Sequence, residues 1–539
     1  MRKTILQVAA ITACLQWGNA QQPFFQPTTY RGAFAPAPTP MWTDQWCEWD
    51  PQNKVYPAPT MTVTSNITTN TIWTTGQVIL LSGQIFVKNN AVLTIQPGVI
   101  IRGDKSVTGA GLFITRGAKI IAQGTLNQPI VFTSDQPPGQ RNLGDWGGVV
   151  ILGNASTNDA GGTNYIEGFP PSPDTQYGGG ATPNDDDSSG ILKYVRIEFA
   201  GYAYQPNKEI NGLTFGSVGR KTVVDYVQVS FANDDAFEWF GGTVNCKHLV
   251  SYRNLDDDFD TDNGYRGNVQ FCLAVRDPLI ADNPSVSTSE GFESDNDPTG
   301  STATPKTSAI FSNVTIIGPY RGNPSSTIAP GFRRGARIRR NSELKIFNSI
   351  FMDHPRGVMI DGTACENNAI NGTLKFKYNI VAGTSPGKVT EVVSGSSFNA
   401  PAWFGANNND SLVSTSGILV NPYDFYNPDY RPVSTGIAAS GADFNDPAFA
   451  NLVASISNTH FNNDFLIYPN PTKDIINIHT NDNTIRNIKI MDITGRVLVN
   501  ENFNSTNAAL LNIEVLPKGY YLMTLECKEG ITNTAIIKE

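Results

Sequence analysis

The chain has little histidine, little cysteine and few charges. Its four histidines, His248, His354, His460 and His479, are scattered through 539 residues. No two stand at a metal-ligand or triad-like spacing, which argues against a zinc site or a His-based hydrolase. Cysteines number six, and Cys14 lies in the N-terminal apolar run. The remaining five, Cys47, Cys246, Cys272, Cys365 and Cys527, are an odd set, so a complete disulfide framework is excluded in a monomer. Cys246 and Cys272 fall out of register on a coil of about 22 residues. A Cys47–Cys365 bridge and buried free thiols both stay open. Only 16% of residues are charged, the net charge is −9, and the one basic run is Arg333–Arg340. That balance excludes nucleic acid as an expected partner. Beyond the N-terminus no apolar run reaches the ~20 residues of a membrane span, so no transmembrane segment is expected in the mature chain.

What the chain does have is turn formers and short apolar runs. Glycine (49) and proline (34) break it into brief alternating segments, which suits short strands and not long helices. Met1-Arg2-Lys3, the apolar Thr4–Leu15 and the small residues Gly18-Asn19-Ala20 predict a secretory signal cleaved after Ala20. A lipid-attachment signal at Cys14 is the competing reading. Residues 21–75, with Trp42, Trp46 and Trp49, predict an extended leader whose aromatics cover the open end of the next domain.

From residue 76 to about 435 the apolar segments recur at full-coil spacing and not as tight hairpins. Leu93 maps on Phe113, and Ile100-Ile101 on Ile120-Ile121. This predicts a right-handed parallel β-helix, interrupted by a long Gly/Asn/Asp/Pro-rich loop from Asn154 to Gly190 that is a candidate wall for a binding face. A linker over 436–463 follows, then short strands with glycine turns over 464–539, the pattern of a small immunoglobulin-like β-sandwich.

The clearest internal repeat is Asn233–Gly242 and Leu255–Gly264, two acidic segments around Phe237 and Phe259, 22 residues apart. If both are extended, residues of one parity share a face. Asp234, Glu238, Asp256, Asp258, Asp260 and Asp262 then converge outward on adjacent coils. Carboxylates so spaced repel unless a cation sits among them, and hard oxygen donors without His or Cys point to Ca²⁺. A solvated acidic face or turn-capping Asp residues also fit. Glu290, Glu293, Asp295 and Asp297 form a second acidic group, expected on a surface loop. The arginines of Arg333–Arg340 are expected to pair with these acids, with sulfated or uronic sugars as the alternative.

In the last segment, Tyr468-Pro469-Asn470-Pro471, Asp492-Ile493-Thr494-Gly495-Arg496, Leu516-Pro517-Lys518-Gly519-Tyr520-Tyr521 and the terminal Ile536-Ile537-Lys538-Glu539 occur in order. This segment resembles the C-terminal sorting domain of Bacteroidota type IX secretion substrates. The resemblance implies export across the outer membrane through the type IX machinery, with residues 464–539 as the address, and release or attachment at the cell surface. Cys527 departs from that pattern. The middle region resembles the broad class of right-handed β-helix surface proteins. Two functions follow: adhesion, glycan contact or surface structure without catalysis, or a Ca²⁺-dependent polysaccharide lyase. A lyase needs a base near its cation; Lys247, Arg253 and Arg266 are the candidates by sequence proximity.

Overall fold

The computed structural model describes residues 24–205, 208–449, 465–468, 472–480, 484–492, 496–527 and 530–538. The signal at 1–20, the Cys14 alternative, the second half of the linker, Pro469–Pro471 and Ile493–Gly495 lie outside them. Two compact units result, one spanning Phe24–Ala450 and the other containing Asn451–Glu539.

The first unit is a parallel β-helix. One face is a ten-stranded sheet whose neighbours follow chain order. Its strands are β1 (Gln84–Val87), β2 (Gly111–Ile114), β3 (Gly148–Leu152), β4 (Leu213–Gly216) and β5 (Phe237–Phe240). They continue with β6 (Phe259–Asp262), β7 (Phe292–Ser294), β8 (Arg334–Ile338), β9 (Arg356–Ile360) and β10 (Thr390–Val392). The remaining faces carry longer strands such as Gly190–Glu198, Val223–Ser230, Asn245–Tyr252 and Asn268–Val275, also paired in parallel.

Parallel stacking puts each residue on its counterpart one coil away, so apolar residues form columns. Phe237 lies opposite Phe259 with ring centroids 5.9 Å apart, and Phe259 opposite Phe292 at 5.1 Å. All three are fully buried. The long strands bend at left-handed residues, Tyr194 (φ 51°), Tyr226 (57°), His248 (51°) and Phe271 (63°). Stacking with the next coil holds these residues in a backbone region that disfavours side chains. Their rings form an outer column with centroids 4.5, 4.2 and 5.3 Å apart.

Two expectations are corrected here. The coil spacing near the N-terminus is not 20: Leu93 pairs with Ile120, and Ile101 with Phe132, while Phe113 pairs with Phe86 on the ten-stranded sheet. Each coil holds several similar apolar strands, and the apparent 20-residue repeat compared neighbouring strands rather than stacked ones. The leader does not cover the open end either. It runs along the flank as a strap. The Gln26 amide N–H donates to Gln270 (2.8 Å), that of Glu48 to Gln228 (2.9 Å), and the Tyr56 hydroxyl to Glu198 (2.9 Å). Trp42 lies 5.1 Å from His248, and Trp46 packs edge-on against Tyr194 and Tyr226. The strap thereby shields the outer ring column. It enters the solenoid at Met61–Val63 and Thr71–Trp73, upstream of residue 76.

All five cysteines of the described residues are free, so Cys47 and Cys365 are not bridged. A short helix, Ala400–Ala406, sets Phe404 against Phe376 beside the last coils. The second unit has a three-stranded and a four-stranded antiparallel sheet. Ile476, Ile478 and Leu511 of one share a core with Ile488, Ile490, Met523 and Leu525 of the other. That two-layer packing is in keeping with an immunoglobulin-like sandwich.

Replacing Trp46, fully buried under the strap, by alanine is expected to lower stability by about 3–5 kcal/mol. Urea denaturation of the variant checks this. A loss below about 1 kcal/mol, the size of an ordinary surface change, contradicts a strap that is integral to the solenoid.

Candidate functional site

The outer face of the ten-stranded sheet changes character along its length. Over β1–β4 it is apolar and covered. Phe86, Phe113, Val150, Leu152, Ile166 and Tyr177 cluster there, and the last two come from the 154–190 loop. Tyr177 closes this region beside Phe240, donating to Asp159 (3.0 Å) and accepting from Asn263 (3.0 Å). At β5 the outward register position becomes ionic: Thr214, Glu238, Asp260, Glu293, Arg337, Met359 and Glu391 stand opposite one another in sequence.

Seven carboxylates converge around β5–β7 in three overlapping groups: Asp234–Asp235–Asp256, Asp235–Glu238–Asp260 and Asp257–Asp260–Glu293. Within each group, one oxygen per residue lies within 4.8 Å of the others. At that separation a charged pair repels by about 3 kcal/mol with an effective dielectric of ~20. Protons, guanidinium groups or a cation must relieve this.

Backbone geometry positions the acids. Asp235 accepts the Asp257 N–H (2.8 Å), Asp257 accepts the Glu290 N–H (2.5 Å), and Glu290 accepts the Arg334 N–H (2.5 Å). Each acid thus caps the start of the next coil with one oxygen. Asp235 and Asp257 keep a second oxygen for another partner. Asp256 Oδ1 and Asp260 Oδ1 are buried without a hydrogen-bond partner. Asn211, 1% exposed, donates its amide to Glu238, while its carbonyl oxygen has no partner. Orphaned buried oxygens are costly unless something fills them. The donors are all hard oxygens, the set that suits Ca²⁺.

Burial, reinforced by neighbouring acids, pushes Asp235, Glu238, Asp257 and Asp260 well above the usual carboxylate range. Asp256 rises to about 7, by burial and then Asp282. Glu293 rises to about 8, because burial outweighs the opposing pull of Arg339. A cleft of ≈ 330 Å³ opens onto Asp234 and Asp256, walled by Glu167, Leu255, Asp282 and Val286.

Of the six residues expected to converge, Asp234, Glu238, Asp256 and Asp260 do and two do not. Asp258 turns inward to a fully buried pair with Arg276 (3.0 Å), and burial raises it to about 6. Asp262 sits one step along the strand, accepting the Asn263 N–H (2.6 Å). A bend falls inside each segment, since the strands begin only at Phe237 and Phe259, and it takes Asp258 out of the shared face, whereas Asp262 keeps the parity of Asp260 but lies one outward position beyond it on β6. Asp235 and Asp257, on the other parity, therefore swing into the cluster. Glu293 was also misplaced. The second acidic group is no surface loop, since β7 pairs with β6 and sets Glu293 opposite Asp260. Glu290 and Asp295 are buried as well, and only Asp297 of the four caps a turn near the surface. Like the Asp235/Asp257 pair, Glu293 was detectable only by aligning all three phenylalanines, Phe237, Phe259 and Phe292, as one column.

The arginines pair with these acids. Arg334 reaches Glu290 (2.8 Å) and Glu391 (2.6 Å), Arg337 reaches Asp361 (2.8 Å), Arg339 reaches Glu293 and Asp295, and Arg340 reaches Asp295 (2.7 Å). The three candidate bases are engaged elsewhere. Lys247 lies over the Phe24 ring at 4.8 Å, and burial lowers its pKa to about 8. Arg253 is paired with Asp277 (2.5 Å) over Phe231 and Phe425. Arg266 is held by Asp185 and Ser156.

The fold is that of a β-helix protein, with an ionic outer face on one stacked sheet. A family model for a pectate-lyase-like β-helix domain matches residues 65–408, well over half of the chain, and the protein belongs to that family. A second model, for a secretion-system C-terminal sorting domain, matches residues 466–539. Together they make this a type IX secretion substrate with a β-helix passenger, addressed to the cell surface or the extracellular space. No curated protein matches the chain. Among the described residues no helix is long and apolar enough to cross a membrane.

The raised acids give a signed pH dependence. An acid whose folded pKa exceeds its unfolded value holds its proton better when folded, so its contribution is lost as pH rises through the folded pKa. With Asp256 at about 7 and Glu293 at about 8, the melting midpoint of metal-free protein is expected to fall between about pH 5 and 8. A metal-free midpoint that is flat or rises over that range contradicts the electrostatics described.

Proposed function

We propose that this exported protein binds a divalent cation, Ca²⁺ by its donor chemistry, on the outer face of β5–β7, and that through this face it contacts acidic glycan outside the cell. The reading is non-catalytic: adhesion or surface structure. The observation that carries it is the overlap of three carboxylate groups that include buried, partnerless oxygens on Asp256 and Asp260. Asp235, Glu238, Asp257, Asp260 and Glu293 would be the principal ligands, with the Asn211 carbonyl oxygen at the rim. The ion supplies positive charge that relieves the mutual repulsion and leaves coordination positions for sugar oxygens. The exposed Asp234–Asp256 cleft offers the approach.

A secretory signal at 1–20 with cleavage after Ala20 remains part of this proposal, since export through the outer membrane requires prior passage of the inner one. The second reading, a polysaccharide lyase, is favoured by the family and by Arg337 and Arg339 beside the acids. It is weakened because Lys247, Arg253 and Arg266 all serve structural contacts.

Calorimetric titration of the full chain with calcium chloride is expected to give saturable binding with a dissociation constant of roughly 10⁻⁵–10⁻³ M. Asp260→Asn should weaken it at least about tenfold, a loss of ~1.4 kcal/mol. Indistinguishable titrations of wild type and variant, or no binding at millimolar calcium, reject the proposal. Ultraviolet absorbance from unsaturated uronate on polygalacturonate or alginate, with calcium present, would replace the non-catalytic reading by the lyase.

A further inference from the structure

Glu293 belongs to two groupings at once. It is a member of the Asp257–Asp260–Glu293 carboxylate group. It is also a counter-ion of two arginines: Arg339 Nη2 bonds its Oε2, and Arg337 Nη1 lies 3.6 Å from its Oε1. One carboxylate cannot satisfy both fully, because lone pairs given to a dication are withdrawn from the guanidinium groups. The other contacts of those arginines do not depend on Glu293. Arg337 keeps Asp361 at 2.8 Å, and Arg339 keeps Asp295 at 2.8 Å through Nε. Both side chains would therefore stay in place when Glu293 turned to an ion. Their side-chain exposures of 26% and 20% leave them reachable from solvent.

We propose that Glu293 couples the two charges of this face: cation binding draws it off Arg339 and Arg337, and the released N–H donors then bind an oxyanion, a carboxylate or sulfate group. The inference rests on the cation site proposed above. That site is supported beyond its acidity by Asn211, 1% exposed, which donates its amide to Glu238 and leaves a buried carbonyl oxygen without a partner. Without the ion, Glu293 occupies the arginines and an external anion must compete with a carboxylate already in place. With the ion, the competitor is removed and positive charge is added beside the vacated donors. Coupling of this kind is reciprocal, so the anion must tighten the cation by the same factor. The device makes recognition of an acidic glycan conditional on the cation without asking the sugar to touch the metal.

Inorganic sulfate serves as the probe, with binding to the full chain measured by equilibrium dialysis at constant ionic strength. Calcium is expected to tighten sulfate binding at least about fivefold, and sulfate to tighten calcium equally. Glu293→Gln should bind sulfate more tightly than calcium-free wild type and lose most of the dependence on calcium, keeping only what the charge of the ion itself adds. Arg337→Gln combined with Arg339→Gln should lose sulfate binding and keep calcium binding. Should Glu293→Gln fail to fold, the wild-type reciprocity and the double arginine variant carry the test. Calcium binding with sulfate affinity unchanged overturns the coupling and leaves the cation site standing. Sulfate tightening that persists undiminished in Glu293→Gln overturns the role of Glu293. Absence of any calcium binding removes the cation reading itself.

Discussion

Everything in the β-helix depends on parallel stacking of one coil on the next, about 4.8 Å apart. At that spacing like residues meet like residues. For aromatic and aliphatic positions this is favourable, and it produces the Phe237–Phe259–Phe292 column inside and the Tyr194–Tyr226–His248–Phe271 column outside. For carboxylates the same geometry is unfavourable. The acid face of β5–β7 is thus the place where stacking works against stability. Its persistence must be explained by what compensates it.

Three compensations are visible. Backbone N–H groups of the following coil bind one oxygen of Asp235, Asp257 and Glu290. Arginines from β8 and just beyond it pair with Glu290, Glu293 and Asp295. Burial holds protons on others, to about pH 7 at Asp256. None of these reaches Asp260 Oδ1 with a hydrogen bond. A dication would satisfy that oxygen and displace the protons together, which is why the face is read as a cation site and not as an ordinary ion-pair network.

The architecture was legible because it is written in repetition. The 22-residue spacing of Phe237 and Phe259 is one coil, and the motifs around Tyr468, Asp492 and Leu516 announce a separate C-terminal unit. The finer placement was not legible, for reasons of local geometry. A bend before each strand breaks the parity, so Asp258 points at Arg276 while Asp235 and Asp257 join Asp234 and Asp256 in the cluster. Coil length also varies: Phe259 to Phe292 spans 33 residues against 22 for the preceding turn, which hid Glu293. The strap's course was invisible because its contacts, such as Trp46 with Tyr194, join residues far apart in sequence.

Whether the carboxylates of β5–β7 hold an ion decides the function proposed for this face. A crystal structure of the exported protein grown with calcium, with anomalous scattering recorded, tests this most directly. The expected result is a peak bounded by Asp235, Glu238, Asp257, Asp260 and Glu293, coordinated by oxygen at about 2.3–2.6 Å. Ordered carboxylates in these positions, with no anomalous peak at millimolar calcium, would contradict it.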